Sequence, residues 1–428
     1  MELNVNESVT VYSSIPLRRV LSFALKWEVN KHGYAEIESE IPYESALKCG
    51  RHSYYNTGII IKMTVDGNDN ILFNGLLRKM ELQFEGKIVK AHIEGVTASW
   101  KLDVQKRSRS YKDTGITYAS LVKEMARRSG AEVITTCGRD IKLGKPLIQY
   151  QETDWEFARR CASHLNQKLL CDVRTGKAAF WFGMRDGKHI SDLYENDYTV
   201  ISDYSAFYRS FVVKSQEAYE VGDRMMFQGR PVVIYKREAG FCEGALSFSY
   251  TMCEEAYLKQ DIIYNENIAG TGLSGIVEAS AGETVDVRLE IDQYENRGSY
   301  MYPWRPETGN IMYAMPEKGC PVILTMTGCD ERDAVVTSCL HRESEDKRNV
   351  RRYKKRCMNI QNTSMLKLYP GELSLSKRHG RRALILDDEE GISVESDKRV
   401  ELTASDRIRL EASAIFVNAS EEIKGIVG

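Results

Sequence analysis

The clearest pattern of apolar and polar positions lies near the end of the chain. Leu384, Ile392, Val400 and Ile408 recur every eight residues, and Leu386, Val394, Leu402 and Leu410 follow them two residues behind. Each unit is an apolar–x–apolar pair followed by a polar corner, and the two-residue spacing places both side chains on one face of a short strand. The series shortens by one residue at Ile415 and Val417 and closes at Ile423. A coiled coil would need apolar a and d positions in heptads, which these pairs do not supply. Such units cannot bury their one apolar face alone; they must stack, wind or associate. Two apolar residues in eight are few for a single-chain solenoid, and a pair of ordinary hairpins is an alternative. Three chains wound about one axis would point every pair inward and pair the strand edges with neighbouring chains. The expectation is an intertwined trimeric β-prism over 384–428. Its core would be Leu384, Leu386, Ile392, Val394, Val400, Leu402, Ile408, Leu410, Ile415 and Val417.

The rest of the chain reads as mainly β with a helical insertion. Over 1–105, Ile59 to Val65 is a buried-strand run. Met80, Leu82 and Phe84 alternate with polar residues, and after Gly86-Lys87 so do Val89, Ala91 and Ile93, which predicts a hairpin with one buried face. His92 falls on the opposite face and is expected to be solvated. Over 106–204, Tyr118, Leu121, Val122 and Met125 share a helical stripe that Gly130 ends, and Thr153-Asp154-Trp155-Glu156 has the form of a capping box. Trp155 and Trp181 are expected in the core. Strands return over 205–268, which predicts a β-barrel completed around the insertion. Over 269–342, Val285, Val287, Leu289 and Ile291 alternate with charged residues, and further short strands suit a small OB-type barrel.

At 428 residues the chain can hold two to four domains with real cores. A net charge of −2 supplies no global field for nucleic acid or an anionic membrane. The span 343–383 is locally basic, with seven Lys or Arg between Lys347 and Arg356. Stacking aromatics are lacking there beyond Tyr353, so a solvated neck, or a contact with an acidic neighbouring subunit, is expected rather than a nucleic-acid site. Met1 to Pro16 lacks a basic segment followed by an apolar core, so synthesis in the cytoplasm without a signal peptide is expected. The ten cysteines include no C-x-x-C and are read as reduced thiols.

Catalytic motifs fail on context. Gly270-Thr271-Gly272-Leu273-Ser274-Gly275 matches G-x-G-x-x-G, but a strand follows where a nucleotide site needs a helix, so a hinge between domains is expected instead. His341-Arg342-Glu343-Ser344-Glu345 lacks the second histidine of a zinc-protease motif, and neither G-x-S-x-G nor a P-loop occurs. No catalytic residue, cofactor or metal ligand is assigned.

The order of parts resembles the hub and spike proteins of contractile injection systems, the VgrG proteins of type VI secretion and the fused hub and needle proteins of phage tails and tailocins. Gln149-Tyr150-Gln151-Glu152-Thr153-Asp154-Trp155-Glu156-Phe157-Ala158-Arg159-Arg160 is similar to that family's QY-E-D-WEF--R segment. Arg107 to Tyr111 resembles its strand-to-helix junction; Val285 to Asp292, Trp304-Arg305-Pro306 and Pro316 to Gly319 followed by Val322 resemble its OB landmarks. The resemblance implies a homotrimer that caps an Hcp-like inner tube protein, meets baseplate wedge proteins and is driven through a target cell envelope. A PAAR-like tip protein at Ile423, Ile426 and Val427 is also implied. Such a protein would reside in a virion or a secreted contractile particle. Only about 40 residues separate Leu340 from Leu384 and none follow Gly428, so no enzymatic cargo and a short needle are expected. The rival readings are an envelope-degrading enzyme hidden in 106–200 and a receptor-binding tail protein presented on a prism.

Overall fold

The computed structural model describes residues 2–6, 9–49, 57–65, 67–193, 197–203, 208–242, 244–293, 298–306, 314–340, 356–360, 364–377 and 381–425. The chain divides into two compact units, Met1–His341 and Arg342–Gly428.

The first unit is built on one large sheet. Its strands lie in the order Glu2–Asn6, Val9–Ser13, Gly58–Val65, Asn68–Glu85, Ile88–Val96, Tyr34–Ile41, Arg19–Glu28, Arg230–Cys242, Ala245–Cys253, Tyr208–Ser215 and Tyr198–Asp203. The two sequence halves meet where Arg19–Glu28 pairs antiparallel with Arg230–Cys242, from Glu28 opposite Lys236 to Ser22 opposite Cys242. The hairpin over Asn68–Glu85 and Ile88–Val96 forms, with Val89, Ala91 and Ile93 buried and His92 half-exposed beside Glu38. His189–Asp192 and Tyr198–Asp203 lie inside 106–204 yet belong to this sheet. Their side chains are mostly exposed, so no alternation marked them as sheet strands.

The insertion between these halves carries two helices, α1 (Tyr118–Arg128) and α2 (Asp154–Ser163). Thr153 and Glu156 close the capping box on α2, each side chain accepting from the other's backbone N–H. Leu121, Met125, Phe157 and Leu169 share one buried cluster with Trp27, Phe73 and Phe248 of the large sheet, so insertion and sheet have a common core. Trp155 lies in that core; Trp181 packs at its edge.

A five-stranded antiparallel sheet follows, ordered Met301–Pro303, Thr284–Leu289, Gly272–Ala281, Pro321–Thr325 and Val335–Cys339. Trp304 bridges Val336, which joins the two edge strands and closes the barrel. Two of the three glycines of the G-x-G-x-x-G match have a packing role. Gly272 and Gly275 lie inside a strand where a Cβ would meet Ile323 Cγ2 at 2.7 Å and Val287 Cγ1 at 2.4 Å. They let neighbouring strands pack closely, a need that composition does not reveal.

The second unit is a five-stranded antiparallel meander of Arg356–Ile360, Ser364–Tyr369, Glu372–Lys377, Arg382–Asp387 and Gly391–Ser396. Its first three strands fall within 343–383, where the sequence predicts a basic neck. Lys and Arg at the strand ends break the octad spacing there, although the apolar–x–apolar pairs Leu366/Leu368 and Leu373/Leu375 are present. Within the single chain the first two octads pair as a hairpin, Leu384 opposite Val394 and Leu386 opposite Ile392. From Lys398 to Gly425 the chain forms no ladder with itself.

Candidate functional site

Two features of the fold bear on function: an apolar face in the second unit and a buried polar joint in the first. In the meander, Met358, Leu366, Leu375, Leu384 and Val394 stand opposite one another strand by strand. Beside them Leu368, Leu373, Leu386 and Ile392 form a second row. Cross-strand partners and i,i+2 neighbours share a face, so these residues make one apolar surface. Leu368, Leu373, Leu375, Leu384, Leu386, Ile392 and Val394 are all exposed. The remaining octad residues Val400, Leu402, Ile408, Leu410, Ile415, Val417 and Ile423 are exposed too, Leu402 at 74% and Leu410 at 70%. Ile426 and Val427 lie outside the described residues. A monomer seldom leaves so much contiguous apolar surface in water. The octads located the later part of this surface; the rows over Met358–Leu375 escaped because their spacing is irregular.

The joint lies where the strand Leu147–Glu152 meets the five-stranded barrel. Its side chains face two cores: Leu147 belongs to that of the large sheet, and Ile148 to that of the barrel. Arg160, 1% exposed, reaches back from α2 between them. Its Nε and Nη2 donate to the two carboxylate oxygens of Glu152 at 2.9 and 2.8 Å, its Nη1 to Glu331 Oε1 at 2.5 Å, and its Nη2 also to Ile148 O at 2.9 Å. Burial opposes the charge on Arg160, but the carboxylates of Glu331 and Glu152 outweigh it and raise the guanidinium pKa. Glu331 also accepts from Ile148 N at 3.2 Å. One barrel carboxylate is thus held by two groups of the insertion.

The strand Arg107–Tyr111 supplies the rest of the joint. Ser110 N and Oγ donate to Asp292 at 2.7 Å each, and Lys112 Nζ to Asp286 Oδ1 at 3.2 Å and Val287 O at 2.8 Å. Asp286 and Asp292, which alternate with Val285, Val287, Leu289 and Ile291 in the sequence, are buried because these donors face them across the joint. Behind them Arg109 binds Gln149 Oε1 at 2.7 Å and the Asp154 carboxylate, to which Ser129 also donates. The segment Gln149 to Arg160 is therefore the connector between insertion and barrel.

His164 lies beside this network, with Nδ1 3.1 Å from Tyr118 Oη. Burial, then the charges of Arg160 and Arg332, push its pKa down to about 4. The unfolded chain takes up this proton first as pH falls below about 6.5, so stability is lost progressively between there and about 4. The thermal midpoint should fall from pH 7 to pH 4.5, and His164→Gln should flatten part of that fall. An unchanged profile in His164→Gln would contradict the assignment.

Among the described residues, no group of three or more His, Cys, Asp or Glu could hold a metal. The basic run Lys347 to Lys355 lies outside the described residues.

A large β-sheet with a helical insertion, a closed five-stranded barrel and a further strand-built unit make up a fold that this chain shares with solved VgrG-like proteins. Among solved structures, a chain of the Francisella PdpA–VgrG complex in its half-lidded form matches with a TM-score of 0.61 at 8% identity, over 91% of this chain and 88% of that one. The Escherichia coli c3393 protein matches with a TM-score of 0.55 at 11% identity, over 78% of this chain and 99% of that one. It is described as a component of the type VI secretion system with structural similarity to the T4 tail proteins gp27 and gp5. No family model and no curated protein sequence matches the chain.

Proposed function

We propose that this chain is the structural hub and spike subunit at the centre of a contractile injection particle. It acts as a homotrimer that caps the inner tube and punctures a target envelope when the sheath contracts. The observation that carries the reading is the run of exposed apolar side chains from Leu368 to Ile423, which find no cover among the described residues of their own unit. Three copies would bury them by turning every apolar pair inward, and strand edges would then pair between chains. A shaft closed in this way resists bending, and the role is mechanical rather than catalytic. The fold shared with c3393 and with the PdpA–VgrG chain supports the assignment.

In this reading the hub meets an Hcp-like tube protein and baseplate wedge proteins. Ile423, with Ile426 and Val427 beyond it, meets a PAAR-like tip. The chain is made in the cytoplasm and ends in a virion or a secreted particle. Sedimentation equilibrium of the purified full-length protein should give three times the chain mass. A monomer that stays soluble at micromolar concentration would sink the proposal.

A further inference from the structure

The described cysteines differ in their access to solvent. Cys161, Cys171 and Cys253 are buried, and burial pushes the Cys171 and Cys253 thiols up to about 12 and the half-buried Cys137 up to about 11. Such thiols offer almost no thiolate to a reagent near neutral pH. Cys339 differs in access rather than in acidity: it is exposed, at the end of the strand Val335–Cys339, while Cys320 is half-buried just before Pro321–Thr325. Cys339 stands opposite Val322, and Leu340 N donates to Pro321 O at 2.8 Å. That pattern makes Val322 and Cys339 a non-hydrogen-bonded pair, the kind with the closer backbones. Cys320, two residues before Val322, is therefore on the same face and diagonally beside Cys339. The thiols interact: burial raises the Cys339 pKa, and the charge and hydrogen bond of Cys320 raise it further.

We propose that Cys320 and Cys339 form a reactive dithiol that closes to an intrachain disulfide when it meets a small disulfide oxidant, clipping the last barrel strand to its neighbour. The exposed Cys339 loses its proton to water and its thiolate attacks one sulfur of oxidised glutathione, releasing one glutathione thiolate. Cys320 loses its proton and attacks Cys339 Sγ, displacing the second glutathione. Two protein thiols are oxidised, and one glutathione disulfide is reduced to two thiols. Cys339 ends its strand just before the boundary between the two units at His341. The clip would hold the barrel shut where the chain leaves it. That use rests on the proposed function, whereas the chemistry does not.

The test incubates the full-length protein with oxidised glutathione at pH 8, quenches with acid, alkylates and maps tryptic peptides by mass. A Cys320–Cys339 linked peptide should form at a rate independent of protein concentration, with Cys137, Cys161, Cys171 and Cys253 remaining alkylatable after denaturation. Cys320→Ser should accumulate glutathione on Cys339, and Cys329→Ser should leave closure unchanged. The proposal is overturned if both thiols of the wild type stay alkylatable, if glutathione persists on Cys339 while Cys320 remains a thiol, or if the disulfide joins two chains. Each of these readouts is independent of whether the protein is a trimer, so failure here leaves the spike reading standing.

Discussion

Leu402→Asp combined with Leu410→Asp should convert the proposed homotrimer to a monomer or an aggregate. Both side chains are largely exposed in the single chain and share one octad register. In a three-chain prism the double variant places six carboxylates in a closed core. Burying an unpaired charge costs several kcal/mol even after relaxation, so six together exceed what so thin a core can offset. Phe416 supplies the control. It is 93% exposed and sits between Ile415 and Val417, out of the inward register. Phe416→Asp should leave the trimer intact by sedimentation. If Leu402→Asp/Leu410→Asp sediments as the wild type does, the octads are not the trimer core; if Phe416→Asp alone dissociates it, the register is wrong.

Arg160→Met should destabilise the first unit by about 3–5 kcal/mol, the range for removing one partner of a buried ion pair. The methionine fills much of the same space, so the loss is mainly electrostatic: Glu152 and Glu331 remain buried without the guanidinium that binds both. The clearest readout is a lowered thermal midpoint together with faster proteolysis between the insertion and the barrel. Adding Glu331→Gln should restore part of the loss, because one of the two stranded charges is removed. Equal stability of Arg160→Met and wild type would mean that the joint is held by Ile148, Tyr150 and their apolar neighbours alone.

The resemblance read from Gln149 to Arg160 has a physical basis that the sequence could not disclose. Gln149, Glu152, Asp154 and Arg160 are polar residues at a buried junction; Glu152 binds Arg160 within the segment, and the other three are matched to partners distant in sequence, Arg109 for Gln149 and Asp154 and Glu331 for Arg160. Their hydrophobic neighbours Ile148 and Tyr150 face the barrel core, whereas Trp155 and Phe157 face that of the large sheet. A motif can thus be read without its reason. The reason appears only when the strand, the helix and the barrel are seen together.

By itself the sequence determined what depends on neighbours close in the chain. The capping box at Thr153, the hairpin turning at Gly86, the alternation of Val285, Val287 and Leu289 and the octad pairs all follow from local spacing and turn chemistry. The tertiary structure decided what depends on distant partners. It buried Asp286 and Asp292 against Lys112 and Ser110, placed Gly272 and Gly275 where strands crowd, and drew Met358 to Leu375 into the same sheet as Leu384. Charge in a sequence reads as solvent exposure unless its partner is known, and that partner is often a hundred or more residues away.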